Sequence, residues 1–335
     1  MALIFMDGFD AGDAGMKWSF AWSGSRSTDT RFGQGSSWFI SPIGAYLYKN
    51  FTPMNKIFLG FAAKFTAATG QVDFCRIGSD AGATSHLWLR YSTGGALQLV
   101  RGDGTILATA TGAAFAFNTW SYYFEVSATI ADAGGTCVVR VNGNTVINYT
   151  GDTKNGGTAT TIDQIRFHPG SASGLPTIMI DDLYVCDDTG VAPYNTFLGD
   201  VRVHTMVPDA AGTSTQFTPS AGANYTDVDE LPYSATDYVR SSVAGTRDTY
   251  SMNDLPAGVT TVYGVQNNII AKKTDAGSIS LKPVTRSGGT NYYGSTVSLG
   301  TSDTVISDLR STDPATSSQW AASAVNSMES GMEVA

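Results

Sequence analysis

The sequence predicts an all-β protein of two successive modules, and three observations carry that prediction. Apolar and polar residues alternate, as in Trp120–Val126, where Trp120, Tyr122, Phe124 and Val126 share one side of an extended segment. Turn dipeptides punctuate such runs at Gly94-Gly95, Asp103-Gly104 and Asn142-Gly143. Gly, Ser, Thr, Ala and Asn are abundant while Lys and Glu are few, a composition that depletes helix formers and supplies strands and turns. At 335 residues the chain exceeds one ordinary core, so about two domains are expected.

The first domain is expected over residues 1–188. Leu3–Met6 is too short for a membrane span and lacks a basic flank, so it reads as an opening strand. Strands follow at Trp38–Ile40, Ile57–Phe65, Val72–Ile77, His86–Tyr91, Leu97–Arg101 and Thr105–Thr109, separated by Gly, Asp and Asn. Trp120–Val126 should present one face to a core and the other to water. Thr136–Val141 and Thr145–Tyr149 flank Asn142-Gly143, the dipeptide that best holds the positive φ angles of a two-residue hairpin. Ile180–Val185, reading I-D-D-L-Y-V, closes the domain.

Gly190 and Pro193 mark a linker over residues 189–196, after which a second β domain occupies residues 197–335. Its expected strands are Val201–Val207, Tyr238–Ser241, Asp248–Met252, Thr261–Ala271, Ser278–Arg286, Tyr292–Ser298 and Thr304–Arg310. One short helix is expected near the end. Asp313 can cap it, Pro314 fits its first turn, and Trp320, Ala324, Val325 and Met328 recur at helical spacing. Gly331 should stop it, with Met332–Val334 as a last strand.

Composition also excludes. Cys75, Cys137 and Cys186 are odd in number and form no C-x-x-C pair, which reads as small core residues in a protein made under reducing conditions, in a cytoplasm. The net charge of −9 and the lack of a basic cluster argue against a nucleic-acid partner. No apolar run approaches a spanning length, so no membrane partner is expected.

The aromatic strand, the V-x-V-N-G hairpin and I-D-D-L-Y-V together resemble the concanavalin A-like (laminin G-like) jelly-roll sandwich. Beyond that fold, the opening M-A-L-I-F-M-D-G-F-D, then F-L-G-D-V-R-V-H-T-M-V-P (Phe197–Pro208), Thr215–Glu230, Arg247–Leu255 and the closing W-A-A-S-A-V-N-S-M-E-S-G-M-E-V are similar to a group of tailed-bacteriophage virion proteins. The resemblance implies a non-enzymatic structural component on the particle surface, a capsid decoration or tail-associated protein. Its partners would be other virion proteins and copies of itself, and its location the virion. The alternative is a carbohydrate-binding adhesion module that recognises host surface glycans.

Against that frame no catalytic constellation emerges. Sandwich glucanases carry E-x-D-x-x-E, whereas the glutamates here, Glu125, Glu230, Glu329 and Glu333, frame no such pair. His86, His168 and His204 stand far apart, and no G-x-S-x-G, H-E-x-x-H, Walker loop or G-x-G-x-x-G exists. No catalytic residue, cofactor or resident metal is therefore expected. In some sandwich members a closing-strand aspartate helps hold calcium, which draws attention to Asp181, Asp182 and Asp7; equally, each could accept hydrogen bonds from nearby amides. Arg101-Gly102-Asp103 spells an integrin tripeptide at a hairpin turn, where turn chemistry explains it. Trp18, Trp22, Tyr46 and Tyr48 could stack on sugars or simply pack.

Overall fold

The alternating runs of the first half pair into two antiparallel sheets that share one core. The structure, a computed structural model, describes residues 3–12, 14–41, 44–66, 70–110, 116–168 and 177–335. It is all-β apart from short helical turns, and it divides into two compact units, Met1–Phe9 with Asp13–Val203 and Asp10–Gly12 with His204–Ala335.

In the first unit an eight-stranded sheet runs in the order Asn144–Gly151, Gly135–Val141, Tyr122–Thr129, Lys56–Phe65, Ile178–Asp187, Ser37–Ile40 and Gly24–Ser27. Leu3–Asp7 also pairs with Ile178–Asp187. The seven-stranded sheet runs Ile106–Thr109, Leu97–Arg101, Thr84–Tyr91, Val72–Ser79, Ile162–Phe167, Tyr46–Met54 and Phe20–Trp22. Side chains from both sheets interlock. Phe61 meets Phe167 with ring centroids 4.9 Å apart, and Phe65 meets Phe74 at 5.0 Å. Each such buried side chain contributes about 1.5–3 kcal/mol. The three cysteines are free and buried, Cys75 and Cys137 within this core.

Asn142 and Gly143 adopt φ of 50° and 77°, so both central turn residues are left-handed as the hairpin requires, and Val141 faces Asn144 across it. One expectation for the preceding strand needs correction. Tyr123 and Glu125, on the side expected to meet water, are as buried as Phe124. Residues after the expected linker cover them: Leu198 N–H donates to the Tyr184 hydroxyl (3.1 Å), and Gly199 N–H to Glu125 Oε1 (2.8 Å). The Tyr184 hydroxyl itself donates to Glu125 Oε1 at 2.8 Å. Tyr184 lies across Gly60, where an added Cβ would stand 2.0 Å from its ring. Phe197 to Val203 therefore belong to the first unit rather than opening a second domain.

Val201–Val207, expected as a strand, is not one. Its amides are taken by side chains instead, Val203 N–H by Asp182 Oδ1 (2.8 Å) and Val207 N–H by Asn253 Oδ1 (2.6 Å). The second unit's main sheet runs Pro208–Thr215, Arg247–Met252, Glu329–Val334, Ser280–Ser287 and Thr290–Tyr293, with Val297–Ser298 also on Ser280–Ser287. Val265–Ala271 and Thr304–Arg310 form a separate pair, and Ile269 and Ile306 from it join Phe217, Tyr250, Leu281 and Met332 in one core.

Asp248 organises this unit from a fully buried position. Its Oδ1 accepts the Gln216 and Phe217 amides at 2.5 and 2.8 Å, and its Oδ2 accepts Asn224 Nδ2 and the Tyr250 hydroxyl at 2.5 and 2.9 Å. The expected helix shrinks to Ala322–Ser327, because Thr312–Asp313 pairs with Ser318–Gln319. Asp313 accepts the Ser287 hydroxyl and the Ala315 amide in place of capping a helix. Gly331 does not stop that helix. It lies within Glu329–Val334, where the Asp248 carbonyl passes too close for any Cβ.

Candidate functional site

Strand alternation sends Leu47, Cys75, Leu87 and Phe167 of the seven-stranded sheet into the core, and their neighbours to the opposite face. Register then assembles a row on that face. Phe20 stands opposite Tyr48, Tyr48 opposite Arg166, Arg166 opposite Arg76, and Arg76 opposite Trp88. Trp22, opposite Tyr46, adds a second rung beside it.

At one end of the row four rings stand in nearly parallel planes. Phe20 lies 6.2 Å from Trp22, 5.6 Å from Tyr46 and 5.8 Å from Tyr48, with interplanar angles of 13°, 26° and 17°. Trp22 is 56% exposed and Phe20 37%. A protein seldom leaves such area on one patch without a use for it. Three of the four aromatic residues singled out in the sequence, Trp22, Tyr46 and Tyr48, are thus brought together. Trp18 is not. It follows the short helix Ala14–Lys17 into the core, meets Phe5 edge-on at 5.3 Å and donates its Nε1–H to Asp7 at 2.8 Å.

The middle of the row is cationic. The Arg166 guanidinium lies 3.9 Å from the centre of Tyr46, and that of Arg76 lies 4.3 Å from Trp88. Arg90 also reaches Trp88, at 5.9 Å, but is held by Asp73 through two bonds of 2.6 and 3.3 Å. Burial, followed by the neighbouring Arg166, lowers Arg76 from the ordinary guanidinium range; burial likewise lowers Arg166. Among the described residues no protein acceptor meets either the Arg76 or the Arg166 Nε.

His168 follows directly after Ile162–Phe167, and its amide donates to the Phe74 carbonyl at 3.3 Å. Burial, reinforced by Arg76 and Arg166, pushes its pKa down to about 2. An unfolded chain takes up that proton near pH 6.5, and the folded one refuses it, so its stabilising contribution is complete above pH 6.5 and is lost as pH falls. Between about pH 6 and pH 4, the unfolding free energy of His168→Gln, measured by urea titration, should fall less steeply than that of the unsubstituted protein, by up to about 1.4 kcal/mol per pH unit. Parallel curves would refute this.

The other sequence candidates have structural partners. His86 is buried, with Nδ1 accepting the Asn155 amide at 3.1 Å, so its Nε2–H points at Ser79 Oγ, 2.8 Å away. His204 belongs to the second unit, outside any strand. Arg101 and Asp103 of the integrin tripeptide grip each other at 2.8 Å. Asp7 accepts Lys17 Nζ (2.7 Å), Trp18 Nε1 and the Phe9 amide. Asp181 accepts the Arg31 and Asp182 amides, while Asp182 accepts the Val203 amide and Arg31. Among the described residues no group of His, Cys, Asp or Glu gathers as a metal site.

Sequence reasoning missed Phe20, Arg76, Trp88 and Arg166. The signal was present in F-A-W and Y-L-Y, where aromatic residues two apart share a face, and in R-F-H, where a charged residue alternates with a core phenylalanine.

No protein-family model and no curated protein matches the chain. Solved structures similar to it include a cellulose-induced protein, at 16% identity and a TM-score of 0.45, over 59% of this chain and all of that one. An alginate lyase aligns at 12% identity and a TM-score of 0.38, over 50% and 93% of the two chains. The sialidase of Trypanosoma rangeli aligns at 14% and 0.31, and there the chain spans only 27% of the neighbour. Two expectations are withdrawn: enzymes stand among these neighbours, and neither the phage structural role nor the absence of enzymatic activity is carried forward.

Proposed function

We propose that the chain binds carbohydrate on the outer face of the seven-stranded sheet. The observation that carries this reading is the set of four near-parallel rings, Phe20, Trp22, Tyr46 and Tyr48, with two of them exposed. Flat apolar rings match the CH-rich faces of pyranoses, and the Tyr hydroxyls supply polar edges for sugar hydroxyls. The Arg166 guanidinium packs over the Tyr46 ring, so the surface is in place before a ligand arrives.

Trp22 doubles as reporter. Its fluorescence should change on titration with members of a panel of neutral and acidic oligosaccharides. Phe20→Ala should weaken binding about 2- to 12-fold, the range expected for one ring contact. Trp22→Ala, followed by calorimetry, should do the same. Both residues are exposed, so thermal midpoints should hold. A panel that leaves both fluorescence and heat unchanged would overturn the reading.

A further inference from the structure

Resting on that carbohydrate reading, the geometry points to an acidic sugar as the preferred occupant, with its carboxylate seated on the paired guanidiniums of Arg76 and Arg166.

These two arginines are cross-strand neighbours in direct register on adjacent strands. Like charges placed so oppose the sheet rather than support it. Several other arginines pair with carboxylates: Arg90 with Asp73, Arg101 with Asp103 and Asp152, Arg247 with Glu333 and Arg310 with Asp308. Among the described residues Arg76 and Arg166 make no such pair; Arg140, Arg202 and Arg240 share this, but none of those three stands opposite another arginine. The carboxylate nearest in charge to Arg76, that of Asp73, already receives two bonds from Arg90. Among the described residues neither guanidinium has a protein acceptor.

Both are nevertheless held in place. Arg166 rests on Tyr46 at 3.9 Å, Arg76 rests on Trp88 at 4.3 Å, and both are partly withdrawn from water. Rigid, half-dehydrated forks with unspent donors suit a planar, two-oxygen anion, which each can meet through two parallel bonds. Tyr48 flanks Arg166 in the same row. An anion on the arginines and a ring on the aromatic rungs would therefore belong to one ligand, and a pyranose bearing a carboxylate supplies both. A nucleic acid would supply anions and stacking surfaces too, but the net charge of −9 repels a polyanion more than a short acidic sugar.

The test is calorimetry on the full chain with matched acid and neutral probes: tetragalacturonate against its full methyl ester, and 3′-sialyllactose against lactose. The pair that shows a gap identifies the source of the carboxylate. The acid should bind about 10- to 100-fold more tightly than its neutral control, as expected for a charge-assisted pair. In Arg76→Gln that gap should close while affinity for the neutral probe holds; in Arg166→Gln, which also releases Tyr46, affinity for the neutral probe should fall somewhat and the gap should close as well. Thermal midpoints of both variants should hold or rise, because removing one of two opposed charges relieves repulsion.

Equal affinity for acid and neutral probes would overturn the acidic-sugar inference and leave carbohydrate binding standing. So would binding of neutral panel members with no response to either acid. Silence from every saccharide would remove both readings together. Tighter binding of a thymidine oligonucleotide than of either acid would overturn the inference in favour of a nucleic-acid surface.

Discussion

Asp248→Ala is expected to lower the stability of the second unit by about 3–5 kcal/mol, the range for removing one partner from a buried charged network. The carboxylate is fully buried and accepts four hydrogen bonds: two from the consecutive amides of Gln216 and Phe217, one from Asn224 and one from Tyr250. Alanine would strand all four donors, and a stranded buried donor costs about 1–3 kcal/mol. Some would recover water through the cavity left behind, which is why the sum is not taken. Asp248→Asn should cost less, since it keeps one acceptor oxygen but turns an NH₂ toward two donors. Urea unfolding would measure both variants. A loss below about 1 kcal/mol for alanine would mean that the network contributes little.

The second large effect is expected at Gly60. An added Cβ would stand 2.0 Å from Tyr184 Cε1, so the ring could not remain across the strand. Displacing it breaks the Tyr184–Glu125 bond and uncovers Glu125, which is fully buried between strands. Gly60→Ala should therefore cost about 3 kcal/mol or more, beyond what overpacking alone usually costs. A double-mutant cycle isolates the cause. In a Tyr184→Ala background the same substitution should be nearly neutral, giving a strong coupling energy. Equal costs in the two backgrounds would place the strain elsewhere in the sheet.

Strand existence was legible where period-two alternation ran unbroken, as at Gly135–Val141, because one-sided burial writes that pattern directly, and where an apolar run was buried on both faces, as at Lys56–Phe65. Among the strands that escaped were Phe20–Trp22, Gly24–Ser27, Tyr46–Met54, Ile162–Phe167 and, in the second unit, Pro208–Thr215. The first two are short and carry little core, while Tyr46–Met54 puts aromatic residues on its outer face as well, which blurs the alternation. Tyr123 and Glu125 misled for the opposite reason. A strand's polar side looks solvated until a distant segment, here Leu198–Gly199, covers it. Most of the candidate site was illegible on the same ground. Arg76, Trp88 and Arg166 lie far apart in sequence and become a row only through strand register, which local pattern does not fix.

The order of strands within each sheet bears on how the protein is made. Ile178–Asp187 binds Lys56–Phe65, Ser37–Ile40 and Leu3–Asp7, all of them translated long before it. Glu329–Val334 likewise enters between Arg247–Met252 and Ser280–Ser287. At ordinary rates of synthesis the gap between Phe65 and Ile178 is on the order of ten seconds, during which a nascent chain emerging from the ribosome presents an unmatched, strongly apolar edge. Neither sheet closes until its final strand leaves the exit tunnel, so this interval is when holdase chaperones have most to bind and when neighbouring polysome chains have most opportunity to cross-pair.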